Sequence, residues 1–296
     1  MSQSMKILIF GGSGFVSGHL AKMAIEQGHE VWCVTRGHGA LPDKVHSLIT
    51  DRNDEKALAK ALQDAGTYWD ACLDCICFDA AQAQIDCRVL TKLCGRLIVL
   101  STDSVYHPAH KLVPQDENGA AYMEDGGYGA KKREMELIFM KNRGQCVPWT
   151  IFRPGHIYGA GSKLGCFPEH SRQDSLKEAI LAGKPLRLVG GGTYLIHPIY
   201  VGDLCRVMLD SIKMDSMQNE IYCIGGPEII TNAEYYRILG RKLGCSVSIE
   251  AIPEAGYLDA HPEFSGHLCN RAYDLTKLRQ TGIRMPDTTL QDGLPV

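Results

Sequence analysis

The sequence lacks the features that mark membrane-spanning, secreted or nucleic-acid-binding chains. None of its apolar runs is long enough to cross a bilayer. The first ten residues, MSQSMKILIF, have neither the charged start nor the cleavage site of a signal peptide. Basic residues are scattered, and 31 of them stand against 34 acidic residues, for a net charge of −3. We therefore expect a cytoplasmic chain with no membrane partner, and the charge disfavours nucleic acid as a partner.

The 296 residues include 12 cysteines, but these do not follow the spacing of a disulfide or metal framework. Many stand inside apolar runs, as Cys33 and Cys223 do, which is typical of reduced thiols in a hydrophobic core. Cys72 and Cys75 have the spacing of a redox or zinc motif. However, they lie in a segment that is predicted to be a strand, and no second pair follows. The sequence thus predicts no metal site.

A predicted strand, a glycine-rich turn and a helix open the chain in KILIFGGSGFVSGHL, residues 6–20. Gly11 suits the tight turn, and Gly14 has no Cβ, so a diphosphate can approach the backbone at the positive helix end. Ser17 stands where such turns usually have a third glycine, and it is small enough for helix and strand to pack closely. The pattern predicts that Gly11 and Gly14 bind a dinucleotide; the alternative is a plain turn between strand and helix.

Strands and helices alternate through the first half of the chain. Apolar and amphipathic segments predict strands at 6–10, 30–35, 46–50, 70–77 and 96–101, and helices at 14–27, 54–65, 79–94 and 128–142. This alternation indicates an α/β fold with a doubly wound parallel sheet of the Rossmann type. We expect residues 1–160, rejoined at about 187–225, to form a dinucleotide-binding domain. Residues 161–186 and 226–296 are expected to form a smaller, partly interleaved C-terminal substrate lobe.

The end of the second predicted strand, in EVWCVTRG, indicates which dinucleotide fits. NAD-binding proteins usually have an acidic residue there, which bonds the ribose hydroxyls. This chain has Thr35 and Arg36 instead. An acid would repel the 2′-phosphate of NADP, whereas Arg36 can pair with it, so the sequence favours NADP over NAD. Asp51, at the end of the third predicted strand, either bonds the adenine amine or caps the next helix.

Two segments carry side chains suited to proton transfer. In LIVLSTDSVYH, an apolar strand runs into Thr102 and Asp103, at the edge where such sheets have their active sites. Tyr128 and Lys132 stand four residues apart on one helix face. We expect the lysine cation to lower the phenol pKa, so that Tyr128 takes a proton from a substrate hydroxyl or returns one to a carbonyl. Lys132 also suits the nicotinamide ribose, and Thr102 suits the substrate oxygen.

Beyond residue 160 the elements become shorter and chemical signals are fewer. Asp203 is predicted to cap the helix that begins there. His156 lies in a loop that faces the predicted cleft, where it either bonds a substrate hydroxyl or only orders the loop. Cys166 and Phe167 are predicted, from position alone, to line the substrate pocket.

The order of these segments resembles the extended short-chain dehydrogenases/reductases, in the NAD-dependent epimerase/dehydratase family that mostly acts on nucleotide sugars. The matching segments are, in order, GGSGFVSG, STDSVY, YGAKK, FRPGHIYGAG, HPIYVGDL and IYCIGGPEIIT. The resemblance implies that Thr102 is the active-site hydroxyl, Tyr128 the acid/base and Lys132 its partner. Together with the turn and the strand ends, it implies a set of cofactor-binding residues: Gly11, Gly14, Phe15, Val16, Arg36, Asp51, Lys132 and Pro154.

The resemblance also implies a transient hydride transfer from a sugar carbon to the nicotinamide of NAD or NADP. The prediction is an NAD(P)-dependent epimerase or oxidoreductase that acts on a nucleotide sugar or related carbohydrate. One alternative is an NADPH-dependent carbonyl reductase, which Arg36 favours. Another is a non-catalytic RNA-binding member, since the TRG after strand two also resembles the branch that contains chloroplast stem-loop-binding proteins. A homodimer is suggested only by analogy with relatives.

Three departures from the family pattern narrow the prediction. Dehydratases of the family have Asp-Glu after the threonine, where this chain has Asp103 and Ser104. Asp103 can still be expected to donate a proton to a leaving hydroxyl, but the glutamate that would remove the α-proton is missing, which disfavours dehydration. The helix AAQAQIDCRVL lacks an asparagine that is often found there, and GGGTYLI lacks the arginine that often grips the nucleotide diphosphate.

Overall fold

The computed structural model describes residues 3–118 and 120–296. Its strands are β1 (Lys6–Phe10), β2 (Glu30–Thr35), β3 (Val45–Ile49), β4 (Ala71–Asp74), β5 (Leu97–Leu100), β6 (Trp149–Pro154), β7 (Ile157–Tyr158), β8 (Leu186–Val189), β9 (Leu195–Ile196), β10 (Ile199–Tyr200), β11 (Glu220–Ile224), β12 (Ile230–Thr231) and β13 (Ile249–Ile252). Its α-helices are α1 (Phe15–Glu26), α2 (Glu55–Asp64), α3 (Ala80–Val89), α4 (Tyr128–Lys141), α5 (Leu176–Leu181), α6 (Val201–Asp210), α7 (Asn232–Lys242), α8 (Tyr257–Ala260), α9 (Thr276–Gln280) and α10 (Leu290–Gly293).

A seven-stranded sheet, entirely parallel, forms the centre of the molecule. Its order is β11-β6-β5-β4-β1-β2-β3, so the chain winds outward in one direction from β1 and then in the other. The predicted doubly wound α/β fold is therefore confirmed. Between β1 and β4 the winding reverses, and the loops that leave these strands diverge to opposite faces. Such a point opens a crevice at the carboxyl edge of the sheet.

Helices cover both faces of this sheet, because every central strand is apolar on both sides. On one face, α1 and α6 pack through Leu20 and Leu204 against alternate residues of β1 and β2. On the other face, α2, α3 and α4 pack through residues such as Leu58 and Met135. The continuous apolar runs of the sequence are thus explained by strands that are buried on both faces.

The smaller strands and helices form a second cluster beside the carboxyl edge. Strands β8 and β13 pair in parallel, and α5, α7 and α10 pack around them in an apolar core of their own. Tyr235 and Tyr236 of α7 are buried in this core. Their hydroxyls accept hydrogen bonds from the backbone N–H groups of Gly165 (3.2 Å) and Cys166 (2.8 Å). This contact ties the loop after β7 to the C-terminal part of the chain.

The structure corrects the predicted cap at Asp203. Helix α6 begins at Val201, so Asp203 lies within its first turn. Its carboxylate accepts hydrogen bonds from the backbone N–H groups of Asp287 (3.1 Å) and Thr288 (2.8 Å), which come from the C-terminal segment. A carboxylate in the first turn is favoured by the helix dipole without serving as the cap. Among the described residues, no helix is long and apolar enough to span a bilayer.

Candidate active site

A large cavity, about 1010 Å³, lies at the carboxyl edge of the sheet. It begins at Phe15 and Val16 on the first turn of α1, and it runs past Thr102 and Tyr128. It ends against the second cluster, at Phe167 and other residues of the loop after β7. Its volume is at the upper end of the range for pockets that bind small molecules and cofactors. Of the residues predicted from the sequence, Phe15, Val16 and Pro154 of the cofactor set line this cavity together with Thr102, Asp103 and Tyr128. The other predicted cofactor residues do not line it: Gly11, Gly14, Arg36, Asp51 and Lys132.

The glycine-rich turn between β1 and α1 has the geometry that a dinucleotide needs. Gly11 and Gly12 have φ angles of 116° and 112°, which only glycine adopts without strain. A Cβ on Gly12 would lie 2.6 Å from Cys33 Sγ, so no larger residue fits there. Gly14 precedes α1 as its cap, and its N–H donates to Ser17 Oγ at 3.2 Å. Ser17 thus packs the helix onto the turn and leaves a bare backbone at the positive helix end.

The ends of the neighbouring strands β2 and β3 supply the two other predicted cofactor residues. Arg36 is exposed directly after β2. Asp51 is also exposed, and its Oδ1 accepts hydrogen bonds from the backbone and side-chain nitrogens of Asn53, at 2.9 and 3.0 Å. Asp51 does not cap α2, since Asp54 does so through Ala57 N at 3.0 Å. Of the two predictions for Asp51, only a contact to adenine stays open. Turn, helix end and cavity together fit a dinucleotide.

Tyr128 and Thr102 come together on the cavity wall. Thr102 follows β5, and its Oγ1 accepts a hydrogen bond from the Ser104 N–H at 3.2 Å, which fixes its rotamer. Tyr128 begins α4 and is 54% exposed, with its ring on the cavity. Close approach of α4 depends on Gly129, because a Cβ there would lie 2.0 Å from the Ser104 carbonyl oxygen. The fold therefore brings helix and strand end together closely enough for the two hydroxyls to interact.

The pKa of the Tyr128 phenol is raised above 10, contrary to our expectation. Partial burial is the main cause, and the nearby carboxylate of Asp103 adds to it. The Thr102 hydroxyl and the charge of Arg172 act in the opposite direction and lower the phenol pKa. Lys132 is not among these influences. The phenol is therefore protonated near neutral pH in this structure.

Lys132 is held by backbone oxygens instead of facing the phenol. The residue is 1% exposed, and its Nζ donates to the carbonyls of Cys77 and Leu100, both at 2.7 Å. Burial lowers the lysine pKa. The ammonium thus joins the carboxyl ends of β4 and β5, below the cavity and 5.0 Å from the centre of the Phe78 ring. Helical spacing alone could not reveal these carbonyls, because they come from other elements.

Asp103 is engaged by two side chains that the sequence analysis did not single out. Arg271 Nε donates to its Oδ2 at 2.7 Å, Arg271 Nη2 donates to its Oδ1, and the Tyr273 hydroxyl also donates to Oδ2. The arginine charge outweighs burial and brings the pKa of Asp103 to about 2. A group that is ionised above about pH 2 is not a proton donor near neutrality. The structure therefore does not support the proton-donating role predicted for Asp103.

The remaining polar residues of the cavity come largely from the second cluster. His156 lines the cavity, and burial together with the charge of Arg271 lowers its pKa to about 4, so it is neutral at pH 7. Phe167 lines the cavity as predicted, and the His267 ring stacks on it at 3.9 Å. Cys166 lines a smaller adjoining cavity. No local pattern in the sequence marks Arg271, Tyr273 or His267, because the cavity residues that they contact, Asp103 and Phe167, are 100 or more residues away in the chain.

One group in the described part of the chain has metal-ligand spacing: Asp74, Cys77 and Asp86, whose ligand atoms lie within 4.8 Å of one another. A guanidinium already neutralises the two carboxylates. Arg52 donates to Asp74 at 2.6 Å and to Asp86 at 2.8 and 3.0 Å, and all three residues are buried. Because the arginine supplies the positive charge, we interpret this group as a buried ion-pair cluster.

Comparison with known proteins identifies the family. The family model described as "NAD dependent epimerase/dehydratase family" matches residues 7–75 and 78–225. The chain belongs to this family. The matched residues include the glycine turn, the end of β5 and the start of α4. Five of the six segments on which the resemblance was based lie within the matched range, and the sixth, residues 221–231, extends beyond it. The family is described as NAD dependent, which agrees with the geometry of the glycine-rich turn.

Two curated relatives differ in what they are named for. The chain is 26% identical, over 78% of its length, to the chloroplast stem-loop binding protein of 41 kDa b of Arabidopsis thaliana, and it spans 61% of that relative's length. It is 24% identical to a UDP-N-acetyl-alpha-D-glucosaminuronate decarboxylase of Bacillus cytotoxicus, over 98% of this chain and 95% of that one. The second of these alignments covers nearly the whole of both chains.

Solved structures agree on the fold. UDP-glucuronic acid 4-epimerase from Bacillus cereus, solved with UDP-glucuronic acid and NAD, superposes with a TM-score of 0.74. The match covers 98% of this chain and 96% of that one, at 20% sequence identity. At that identity the likeness concerns the fold. The reaction and the substrate have to be argued from the residues of the site.

Proposed function

We propose that the protein binds NAD or NADP and transfers a hydride at a hydroxyl-bearing carbon of a nucleotide sugar. The observation that carries this proposal is the meeting of Tyr128 and Thr102 on a cavity that begins at the glycine turn. A nucleotide-linked sugar is the preferred substrate class, since a relative matched along nearly the whole chain is named for a UDP-linked sugar acid. The family supports an epimerase or oxidoreductase.

In this proposal Tyr128 moves the proton at the reacting oxygen. Its phenol is protonated near neutral pH, so it is ready to donate to a carbonyl. To accept a proton from a hydroxyl, it needs stabilisation of the phenolate, which the Thr102 hydroxyl and nearby positive charge provide. The bound nicotinamide supplies the hydride acceptor and donor. Thr102 holds the substrate oxygen beside the phenol.

Lys132 is proposed to contact the cofactor as well as the strand ends. An ammonium has three N–H donors, and two of them are used by the carbonyls of Cys77 and Leu100. The third is left for a ribose hydroxyl above the strand ends. Lys132 would then act by holding the cofactor in register with Tyr128, and its effect on the phenol would be indirect.

NADP is proposed as the preferred cofactor because of Arg36. Its exposed guanidinium follows β2, where an NAD-specific protein has an acid. Asp51, on the neighbouring strand end, is proposed to accept from the adenine amine, and Pro154 to border the cavity near the nicotinamide. We further propose that residues 161–186 and 226–296 are the substrate lobe, since Arg172 and Arg271 line the cavity from that side.

The test is turnover with defined nucleotide sugars. Purified protein is incubated with UDP-glucose or UDP-glucuronic acid and with NADP or NAD, while product and reduced cofactor are followed together. Product without net cofactor reduction indicates epimerisation, whereas stoichiometric consumption indicates net oxidation or reduction. We expect Tyr128→Phe to lower kcat/KM by roughly 10³-fold, with cofactor affinity unchanged, because only proton transfer is lost.

Tyr68→Phe is the matched control. Tyr68 is exposed and precedes β4, at the opposite edge of the sheet from the cavity, so its substitution should leave kcat/KM unchanged. Wild-type turnover in Tyr128→Phe would contradict the proposal. Absence of turnover with every nucleotide sugar, despite cofactor binding, would contradict the proposed substrate class while leaving the cofactor site intact.

A further inference from the structure

Three cationic side chains line the cavity on the side of the proposed substrate lobe: Lys163, Arg172 and Arg271. Two of them are neutralised by carboxylates. Lys163 lies 2.8 Å from Asp174, and Arg271 forms an ion pair with Asp103. In the described part of the chain, Arg172 has no carboxylate within 4 Å. The cavity wall therefore carries one uncompensated positive charge, and that charge is Arg172.

The backbone of Arg172 is held in an unfavourable conformation. Its φ of 57° lies in the left-handed region, which residues with a Cβ rarely adopt. Such strain is maintained only where the surroundings determine it, and it is concentrated at ligand sites. Earlier in the same loop, Gly165 and Cys166 are tied to α7 by hydrogen bonds to Tyr235 and Tyr236.

The charge of Arg172 reaches the residues near the reacting oxygen. It lowers the pKa of Tyr128 and also that of His156, although burial is the larger influence on both. Tyr128 and His156 both line the cavity, one from the start of α4 and the other from the residue before β7. Arg172 lines the same cavity as both residues, so its charge acts within the proposed substrate site.

We infer that Arg172 binds an oxyanion of the substrate, either a carboxylate of an acidic sugar or a phosphate of the nucleotide diphosphate. The inference rests on the proposed function only in taking this cavity as the substrate site. A guanidinium recognises both groups through paired N–H donors. Of the three lining cations, only the exposed Arg172 has no carboxylate partner among the described residues, so its guanidinium is free to bind an anion of the ligand. This side chain then helps to determine which sugars the enzyme accepts.

Equilibrium binding tests the inference without requiring turnover. Calorimetric titrations with UDP-glucose, UDP-glucuronic acid and glucuronic acid 1-phosphate are compared for the wild-type protein, Arg172→Gln and Arg172→Lys. A charge-assisted hydrogen-bonded contact predicts roughly a tenfold or larger rise in Kd for Arg172→Gln. Arg172→Lys should recover part of that loss, because it keeps the charge without the paired donors.

Arg187→Gln is the matched control. Arg187 lies on β8, is exposed and pairs with Glu250 at 3.5 Å, away from the cavity, so its substitution should not change Kd. Thermal unfolding of each variant shows whether the loop remains folded.

The outcomes separate the two sources of the anion. A loss confined to the two glucuronic acid probes supports a contact to the sugar carboxylate. An equal loss for both UDP-sugars supports a contact to the diphosphate. Binding of glucuronic acid 1-phosphate alone, sensitive to Arg172, supports the inference while contradicting the nucleotide-sugar part of the proposed function. Unchanged Kd values in Arg172→Gln, or no binding of any of these anions to the wild-type protein, overturn it.

Discussion

Two arginine–carboxylate clusters flank Thr102 in the chain, and they differ in what they hold together. On one side, Ser101 Oγ donates to Glu136 at 2.7 Å, and Glu136 accepts from Arg153 at 2.9 and 2.6 Å and from Arg133 at 2.9 Å. All of these residues belong to β6, α4 or the end of β5. This first cluster, Ser101–Glu136–Arg153–Arg133, joins neighbouring elements of the large sheet and its helices.

On the other side of Thr102, Asp103 pairs with Arg271 and Tyr273, which lie about 170 residues further along the chain. This second cluster, Asp103–Arg271–Tyr273, joins the large sheet to the proposed substrate lobe, and its Asp103 and Arg271 line the cavity. The three consecutive residues after β5 thus have different roles. Ser101 contacts the cluster within the large sheet and its helices, Thr102 carries the candidate active-site hydroxyl, and Asp103 binds side chains of the proposed substrate lobe. The clusters at Ser101 and Asp103 therefore fix the position of Thr102 from both sides in the chain. Single substitutions can disrupt each cluster separately.

Breaking the first cluster should have the largest effect on stability. Glu136 is fully buried, and the charge of Arg153 lowers its pKa. In Glu136→Gln, the guanidinium of Arg153 stays buried without its counter-charge, which costs about 3–5 kcal/mol. We expect urea unfolding to show that loss in the free energy of unfolding. Glu134→Gln, at an exposed position on the same helix, is the control. An equal loss of unfolding free energy in both variants would contradict the stabilising role of the first cluster.

Breaking the second cluster should have a smaller effect and a specific pH dependence. Asp103→Asn leaves Arg271 without a carboxylate, but that arginine reaches the cavity, so we expect a loss of about 2 kcal/mol. The native pKa of about 2 lies below the usual 3.8. Asp103 therefore contributes stability that is present above about pH 4 and is lost as the pH falls through about 2.

The pH dependence can be isolated by comparing two unfolding series. The difference in unfolding free energy between the wild-type protein and Asp103→Asn, measured from pH 6 to about pH 2, should shrink as the pH falls. A difference that stays constant over this range would mean that the carboxylate is not held ionised by Arg271.

The smallest effect is expected at a surface pair that belongs to neither cluster. Lys60 and Asp64 are one turn apart on α2, with 2.6 Å between Lys60 Nζ and the carboxylate, and both side chains are mostly exposed. Solvent screening limits such pairs, so Lys60→Gln should change the free energy of unfolding by no more than about 0.5 kcal/mol. A loss as large as that of Asp103→Asn would show that burial is not what separates the clusters from the surface.

Much of the large domain could be predicted from local patterns. The glycine turn, the first strands and helices, and the pair Tyr128 and Lys132 all lie where spacing and periodicity indicate, because each depends on residues within one or two turns. The strand predicted over 70–77 is shorter, Ala71–Asp74, since the chain leaves the sheet at the loop that supplies the Cys77 carbonyl. The helix predicted over 79–94 likewise ends at Val89.

The predictions that the structure contradicts concern the groups with which charged side chains interact. Lys132 was expected to lower the phenol pKa because four residues bring it to the same helix face, but two backbone carbonyls hold its charge elsewhere. Asp103 was expected to donate a proton, and an arginine from a distant segment keeps it ionised. Asp203 was expected to cap a helix, and the C-terminal backbone occupies its carboxylate instead. In each case the deciding partner is remote in sequence.

By itself, the amino-acid sequence determined the doubly wound sheet, the dinucleotide turn and the two hydroxyl-bearing side chains that meet beside it. These depend on the period of apolar residues and on the conformational freedom of a few glycines, which act over short stretches of chain. The tertiary structure decided which charges of the cavity are neutralised and which one, Arg172, is left for a ligand. Coulomb interactions and desolvation depend on distances in space, and only folding brings residues 103 and 271 together.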